Sequence, residues 1–108
     1  MSDKISVTDS IQYLAETDEQ FGKLKGRMKG LEYRLKVCKA QEFLKATGTS
    51  ASANEQRAYA SDAYITMLQE YENSVIEYET VAAKRETRVL TIEVWRSQNA
   101  NKRQGNIT

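Results

Sequence analysis

Residues 14–38, LAETDEQFGKLKGRMKGLEYRLKVC, decide the fold. Their apolar members are Leu14, Phe21, Leu24, Met28, Leu31, Leu35 and Cys38, separated by steps of 7, 3, 4, 3, 4 and 3. Those steps trace a heptad seam along one side of an α-helix, and such a seam is covered only by another helix. Upstream, Ser6 with Asp9 forms a loose capping box and Thr8 is a second candidate cap, so the helix is predicted to start near residue 8. Nothing breaks the pattern before about Ala46.

The following stretch, Thr47-Gly48-Thr49-Ser50-Ala51-Ser52-Ala53-Asn54, is small and polar. Gly48 is available to end a helix and Ser52 with Glu55 to start one, which predicts a hairpin loop over 47–52. A second helix is then predicted over about 53–97. One heptad row of it carries Tyr64, Tyr71, Tyr78 and Ile92, and the adjacent row carries Leu68, Val75, Ala82 and Val89. With no Pro and five Gly in 108 residues, nothing interrupts long helices. The expected fold is all-α: one long antiparallel, coiled-coil-like two-helix hairpin over 1–98, followed by a flexible polar tail over 99–108.

Helices of about 39 and 45 residues would run roughly 58 and 67 Å at 1.5 Å per residue. One hairpin leaves much of such apolar faces wet, so assembly into a helical homo-oligomer is expected. The hairpin and oligomer contacts are assigned to Phe21, Leu24, Met28, Leu31, Leu35, Tyr64, Leu68, Tyr71 and Val75, with Trp95 as an anchor opposite the start of the first helix.

Composition removes most chemistry. His is absent and Cys38 is the single cysteine, so the usual general base, a thiolate metal site and an intrachain disulfide are all missing. Cys38, on the seam, reads as a small apolar filler. Glu70, Glu72, Glu77 and Glu79 read as charge complement rather than metal ligands. No catalytic residue, metal or cofactor is expected, and the reading is of a non-enzymatic protein. No apolar run approaches the roughly 18 residues of a membrane span, and Met1–Val7 lacks a secretory pattern. A cytoplasmic location is expected, and the Asn106-Ile107-Thr108 sequon reads as chance.

Charge is arranged in blocks. Residues 1–22 hold Lys4 against Asp3, Asp9, Glu16, Asp18 and Glu19, whereas 23–45 hold eight cations against Glu32 and Glu42. Residues 46–80 hold Arg57 against six carboxylates, and 81–108 hold six cations against Glu86 and Glu93. An antiparallel hairpin sets basic blocks beside acidic ones, which selects orientation more than it stabilises. Eight cations cannot all point at one neighbour, however. A solvent-facing surplus from Lys23, Lys25, Arg27, Lys29, Arg34, Lys36 and Lys39 would make a track for a phosphate backbone.

Gly22, Gly26 and Gly30 interleave with those cations, and three helical glycines cost roughly 2 to 3 kcal/mol relative to Ala. Either they permit close helix approach or a bend, or they let a nucleic-acid backbone come near. Tyr64, Tyr71 and Tyr78 read as core before stacking platforms, while Tyr59 and Tyr33 fall outside the main seams and are the better candidates for an exposed aromatic. Tyr59 is assigned to the nucleic-acid site with the cations.

Two segments, Arg57-Ala58-Tyr59-Ala60-Ser61-Asp62-Ala63-Tyr64 and Ile92-Glu93-Val94-Trp95-Arg96, resemble those of small helical proteins from phage replication and recombination clusters. The stretch Leu35-Lys36-Val37-Cys38-Lys39-Ala40, then a Gly-containing turn, then Arg57 with Tyr59, resembles UvsY-type phage recombination mediators. The resemblance implies a helical oligomer that binds single-stranded DNA and helps load a recombinase on strands covered by single-strand-binding protein. It also implies a DNA-contacting role for Lys39. The family's second basic position falls here at Gln41, with Lys36 or Arg34 as substitutes. A protein–protein adaptor or inhibitor acting on a host or phage enzyme without DNA is the other reading kept open.

Overall fold

The computed structural model describes residues 6–105. Met1–Ile5 and Asn106–Thr108, including the sequon and the end of the expected polar tail, lie outside the described residues. The fold is all-α, with α1 over Val7–Lys45, α2 over Ala51–Tyr59 and α3 over Asp62–Arg103. No strand occurs among the described residues.

Local chemistry sets each boundary. Ser6 Oγ accepts the Asp9 N–H at 2.9 Å, one of the backbone donors a helix start leaves unpaired, so α1 begins where the capping box placed it. At α2 the cap is Ser50 rather than the expected Ser52: its backbone is extended and its Oγ accepts the Ala53 N–H at 3.1 Å. Gly48 does not end α1 through a left-handed backbone, since Gly105 is the positive-φ glycine. Gly48 supplies clearance instead: its N–H donates to Asn54 Oδ1 at 2.7 Å, and a Cβ there would sit 2.6 Å from that oxygen.

The predicted second helix is two helices. The chain breaks at Ala60-Ser61, where the Ser61 hydroxyl donates to Ala58 O at 2.7 Å and accepts the Tyr64 N–H at 3.2 Å. α3 also outlasts the predicted end at 97. Asn99 Nδ2 donates to Trp95 O at 2.9 Å, and Lys102 and Arg103 lie in the last turn, where cations complement the helix dipole. Gly105, at φ 72°, then ends it.

The chain packs as two units. One joins α1 up to Gly22 with the chain from Glu79 onward; the other is Lys23–Tyr78, containing the rest of α1, α2 and the start of α3. Each pairs α1 antiparallel with α3. In the first, Arg85 reaches Leu14, Thr17 and Asp18, and Arg88 stacks on Tyr13. In the second, Tyr71 meets Glu32 and Arg27 meets Glu77.

The α1 seam residues from Leu14 to Cys38 are all buried or half-buried, as are Tyr64, Leu68, Tyr71 and Val75 on α3. Full burial is sparse: Leu31 and Ala58 are the buried hydrophobic residues among those described, with Ser10 and Ser74 the buried polar ones. Both serines donate their hydroxyls to their own helix, Ser10 to Ser6 O at 2.8 Å and Ser74 to Tyr71 O at 2.7 Å. The step of seven between Leu14 and Phe21 is filled by half-buried Thr17, and the gap between Tyr78 and Ile92 by Arg85. These two interruptions meet. Arg85 Nη1 donates to Thr17 Oγ1 at 2.6 Å and Leu14 O at 3.0 Å, Nη2 reaches Asp18 Oδ1 at 2.6 Å, and the guanidinium lies 4.8 Å from the Phe21 ring centre.

Candidate nucleic-acid interface

The cations assigned to a phosphate track lie on α1, within the Lys23–Tyr78 unit, and the helix divides them into two groups. Lys25, Lys29, Arg34 and Lys36 are exposed and form no ion pair among the described residues. Lys23 is exposed as well. Arg27 is shared with Glu77 of α3 at 3.5 Å, where both side chains stay about half exposed, so the pair adds little stability.

Lys39 is engaged from α2. Its ammonium donates to Tyr59 Oη at 2.6 Å and to Glu55 Oε1 at 3.1 Å, and lies 4.3 Å from the Tyr59 ring centre. The Tyr59 hydroxyl first, and the Glu55 carboxylate next, hold the Lys39 pKa above the ordinary lysine value. Tyr59 is correspondingly not an open platform: Lys39 covers a ring face and Tyr64 meets it edge-on at 5.3 Å. The open aromatic is Tyr33, 69% exposed and one turn from Lys29, Lys36 and Val37. Tyr71 packs inward, and burial first, then the Glu32 carboxylate that accepts its hydroxyl, raises its pKa above the usual tyrosine value.

The glycines correct one expectation. A Cβ at Gly22, Gly26 or Gly30 would meet nothing within 4 Å, so the stripe serves no close helix approach among the described residues. Phe21, Leu24, Met28 and Leu31 occupy the seam, and the helical period turns the glycines to the opposite side. Trp95 is 49% exposed, so it is not buried against the described residues of its own chain.

The back of α1 carries a feature that a search for one seam overlooks. Tyr33, Val37, Ala40 and Leu44 repeat at steps of 4, 3 and 4, all exposed, with Leu44 at 82%. Hollows flank the stripe. One of about 510 Å³ is lined by Lys36, Lys39, Ala40, Phe43, Leu44 and Glu55, and another of about 430 Å³ by Tyr33, Arg34, Val37, Cys38, Gln41 and Met67. Cys38 is half-buried at the edge of the second.

Among the described residues, no group of three or more His, Cys, Asp and Glu could hold a metal ion, and no helix is long and apolar enough to cross a membrane. Comparison with known proteins gives no match: no family model, no curated protein and no solved structure.

Proposed function

We propose that this chain is a non-enzymatic single-stranded DNA-binding accessory protein of phage type, acting as a recombination mediator that assists a recombinase. One observation carries the reading: Lys25, Lys29, Arg34 and Lys36 are exposed and without ion pairs among the described residues, on the helix that also carries the exposed ring of Tyr33, with Lys29 and Lys36 one turn from it. Cations neutralise phosphates and release counterions, while an exposed ring stacks an unpaired base of any sequence. Gly26 and Gly30 leave the helix surface bare between them, so a backbone approaches without a side chain in its way. The resemblance to UvsY-type mediators suggests the partners, a recombinase or a single-strand-binding protein.

Binding of a fluorescent oligothymidylate across a salt series tests it. Four phosphate contacts at about −0.7 each predict a slope of log K against log salt near −3. Tyr33→Ala is expected to weaken binding by about 1–3 kcal/mol, whereas Tyr59→Ala should act less, through Lys39. Salt-independent binding, or none at low salt, overturns the proposal.

A second reading, a protein adaptor without DNA, is favoured by one observation, the apolar run Val37, Ala40 and Leu44 that continues from Tyr33. Unimpaired capture of a protein partner by a chain with no oligonucleotide affinity would select it.

A further inference from the structure

The unit containing the chain from Glu79 onward has an outward stripe of its own. On α3, Ala83, Thr87, Leu90 and Val94 recur at steps of 4, 3 and 4, and all four are exposed. That spacing is the same as Tyr33, Val37, Ala40 and Leu44 on α1. The Thr87 hydroxyl donates to Ala83 O at 3.2 Å and the Thr91 hydroxyl to Thr87 O at 3.0 Å, so both spend their polarity on their own helix. A hollow of about 340 Å³ lined by Thr87, Leu90, Thr91 and Val94 gives the stripe relief for a partner's side chains.

The shoulders of the two stripes carry opposite charge. Beside the α3 stripe, Glu79, Glu86 and Glu93 form a row at seven-residue spacing, exposed and without ion pairs among the described residues. Lys84 and Thr91 stand on its other shoulder. Beside the α1 stripe, Lys29 and Lys36 line one shoulder, and Arg27 and Arg34 the other. Two helical stripes with the same step and borders of opposite charge satisfy the requirements of a helix pair: apolar knobs at the centre, ion pairs at the edges.

We propose that the α3 stripe of one copy docks on the α1 stripe of a second copy, with Glu79, Glu86 and Glu93 facing the cations beside Tyr33 and Val37. The contact joins two different surfaces, so each copy offers one of each and assembly either extends or closes on itself. This goes beyond the DNA reading and does not rest on it. Lys29 and Lys36 serve both, so a given α1 face holds either a strand or a second copy.

A charge swap, read by sedimentation velocity without DNA, tests the pairing. The wild-type chain is expected to associate at micromolar concentration. Glu86→Lys with Glu93→Lys, and separately Lys29→Glu with Lys36→Glu, should each weaken association by on the order of tenfold or more, because like charges then face each other. Mixing the two variants should restore a complex, since one partner then offers cations where the other offers carboxylates. All four positions are exposed, and unchanged helical circular dichroism identifies variants that remain folded. Leu90→Gln gives a charge-independent check and should weaken association as well. A wild-type chain that stays monomeric overturns the proposal, as does association indifferent to both charge pairs. Oligonucleotide binding is measured separately, so its loss with assembly intact would count against the DNA reading alone.

Discussion

The two packed units solve one problem, a long apolar seam with little depth, in different ways. The Lys23–Tyr78 unit adds a third helix: α2 brings fully buried Ala58 to the packing and captures Lys39, while Leu31, at 6% exposure, is the one large side chain buried outright. The other unit adds no helix among the described residues. It places a guanidinium where the heptad calls for an apolar residue and surrounds it with Leu14 O, Thr17, Asp18 and the Phe21 ring. An apolar layer tolerates a slip of register better than a hydrogen-bonded one, because a displaced Arg85 would leave its charge desolvated and unpaired. One unit is therefore built for burial and the other for alignment.

The largest expected effect breaks the burial side of that contrast. Leu31→Ala should destabilise by about 2–5 kcal/mol, measured by urea unfolding, since it removes a buried side chain and leaves a cavity. Arg85→Ala should cost about 1–3 kcal/mol, less because Asp18 remains largely exposed and keeps its water. Arg85→Met sharpens the point: stability should stay near the wild-type value while amide-exchange protection around Thr17 falls, because alignment and not burial is lost. A loss below about 0.5 kcal/mol for Arg85→Ala would place this contact with ordinary surface pairs and remove the contrast.

Smaller effects follow at the surface. Gly26→Ala and Gly30→Ala each open onto empty space and should stabilise by about 0.5–1 kcal/mol in thermal melts. If the bare backbone serves a strand, the same changes weaken oligonucleotide binding, and stabilisation with unchanged binding would separate the glycines from that role.

The least effect is alkaline. Lys39 and Tyr71 both have raised pKa values, Lys39 from Tyr59 and then Glu55, Tyr71 from burial and then Glu32. Folding therefore favours their protonated forms. Their contribution is complete below the ordinary lysine and tyrosine values and is lost as pH rises through the raised ones. The stability these two groups contribute should be flat through neutrality and decline above those ordinary values, and Lys39→Met with Tyr71→Phe should reduce that decline.

The seam from Phe21 to Cys38 was legible because its apolar residues keep helical step without interruption, and Ser6 was legible as a cap because Asp9 follows at the right distance. The corner at Ala60-Ser61 was not, since Ala58-Tyr59-Ala60 carries no Gly or Pro and suits a continuous helix. Its signal was Ser61 before Asp62, a cap followed by a first-turn acid, set inside a run that already seemed explained. Arg85 escaped because counting apolar residues steps over a cation. Thr17, missing at the matching place on the facing seam, was the clue that a polar pair fills both gaps. A surplus of cations on α1 was foreseen, but that Lys39 and Arg27 are engaged depends on α2 and Glu77, whose reach across to them is a matter of tertiary position. The outward stripe from Tyr33 to Leu44 obeys the seam's own rule two positions out of phase, and needs every row of the helix to be read.

α2 is only nine residues long, yet both groups that detain Lys39, Glu55 and Tyr59, ride on it. A helix that short has little intrinsic persistence and owes its form to the cap at Ser50, the buried methyl of Ala58 and the Ser61 clasp. Peeling it back would unveil a ring and liberate an ammonium in one movement, enlarging the cationic surface of α1 without altering α1 itself.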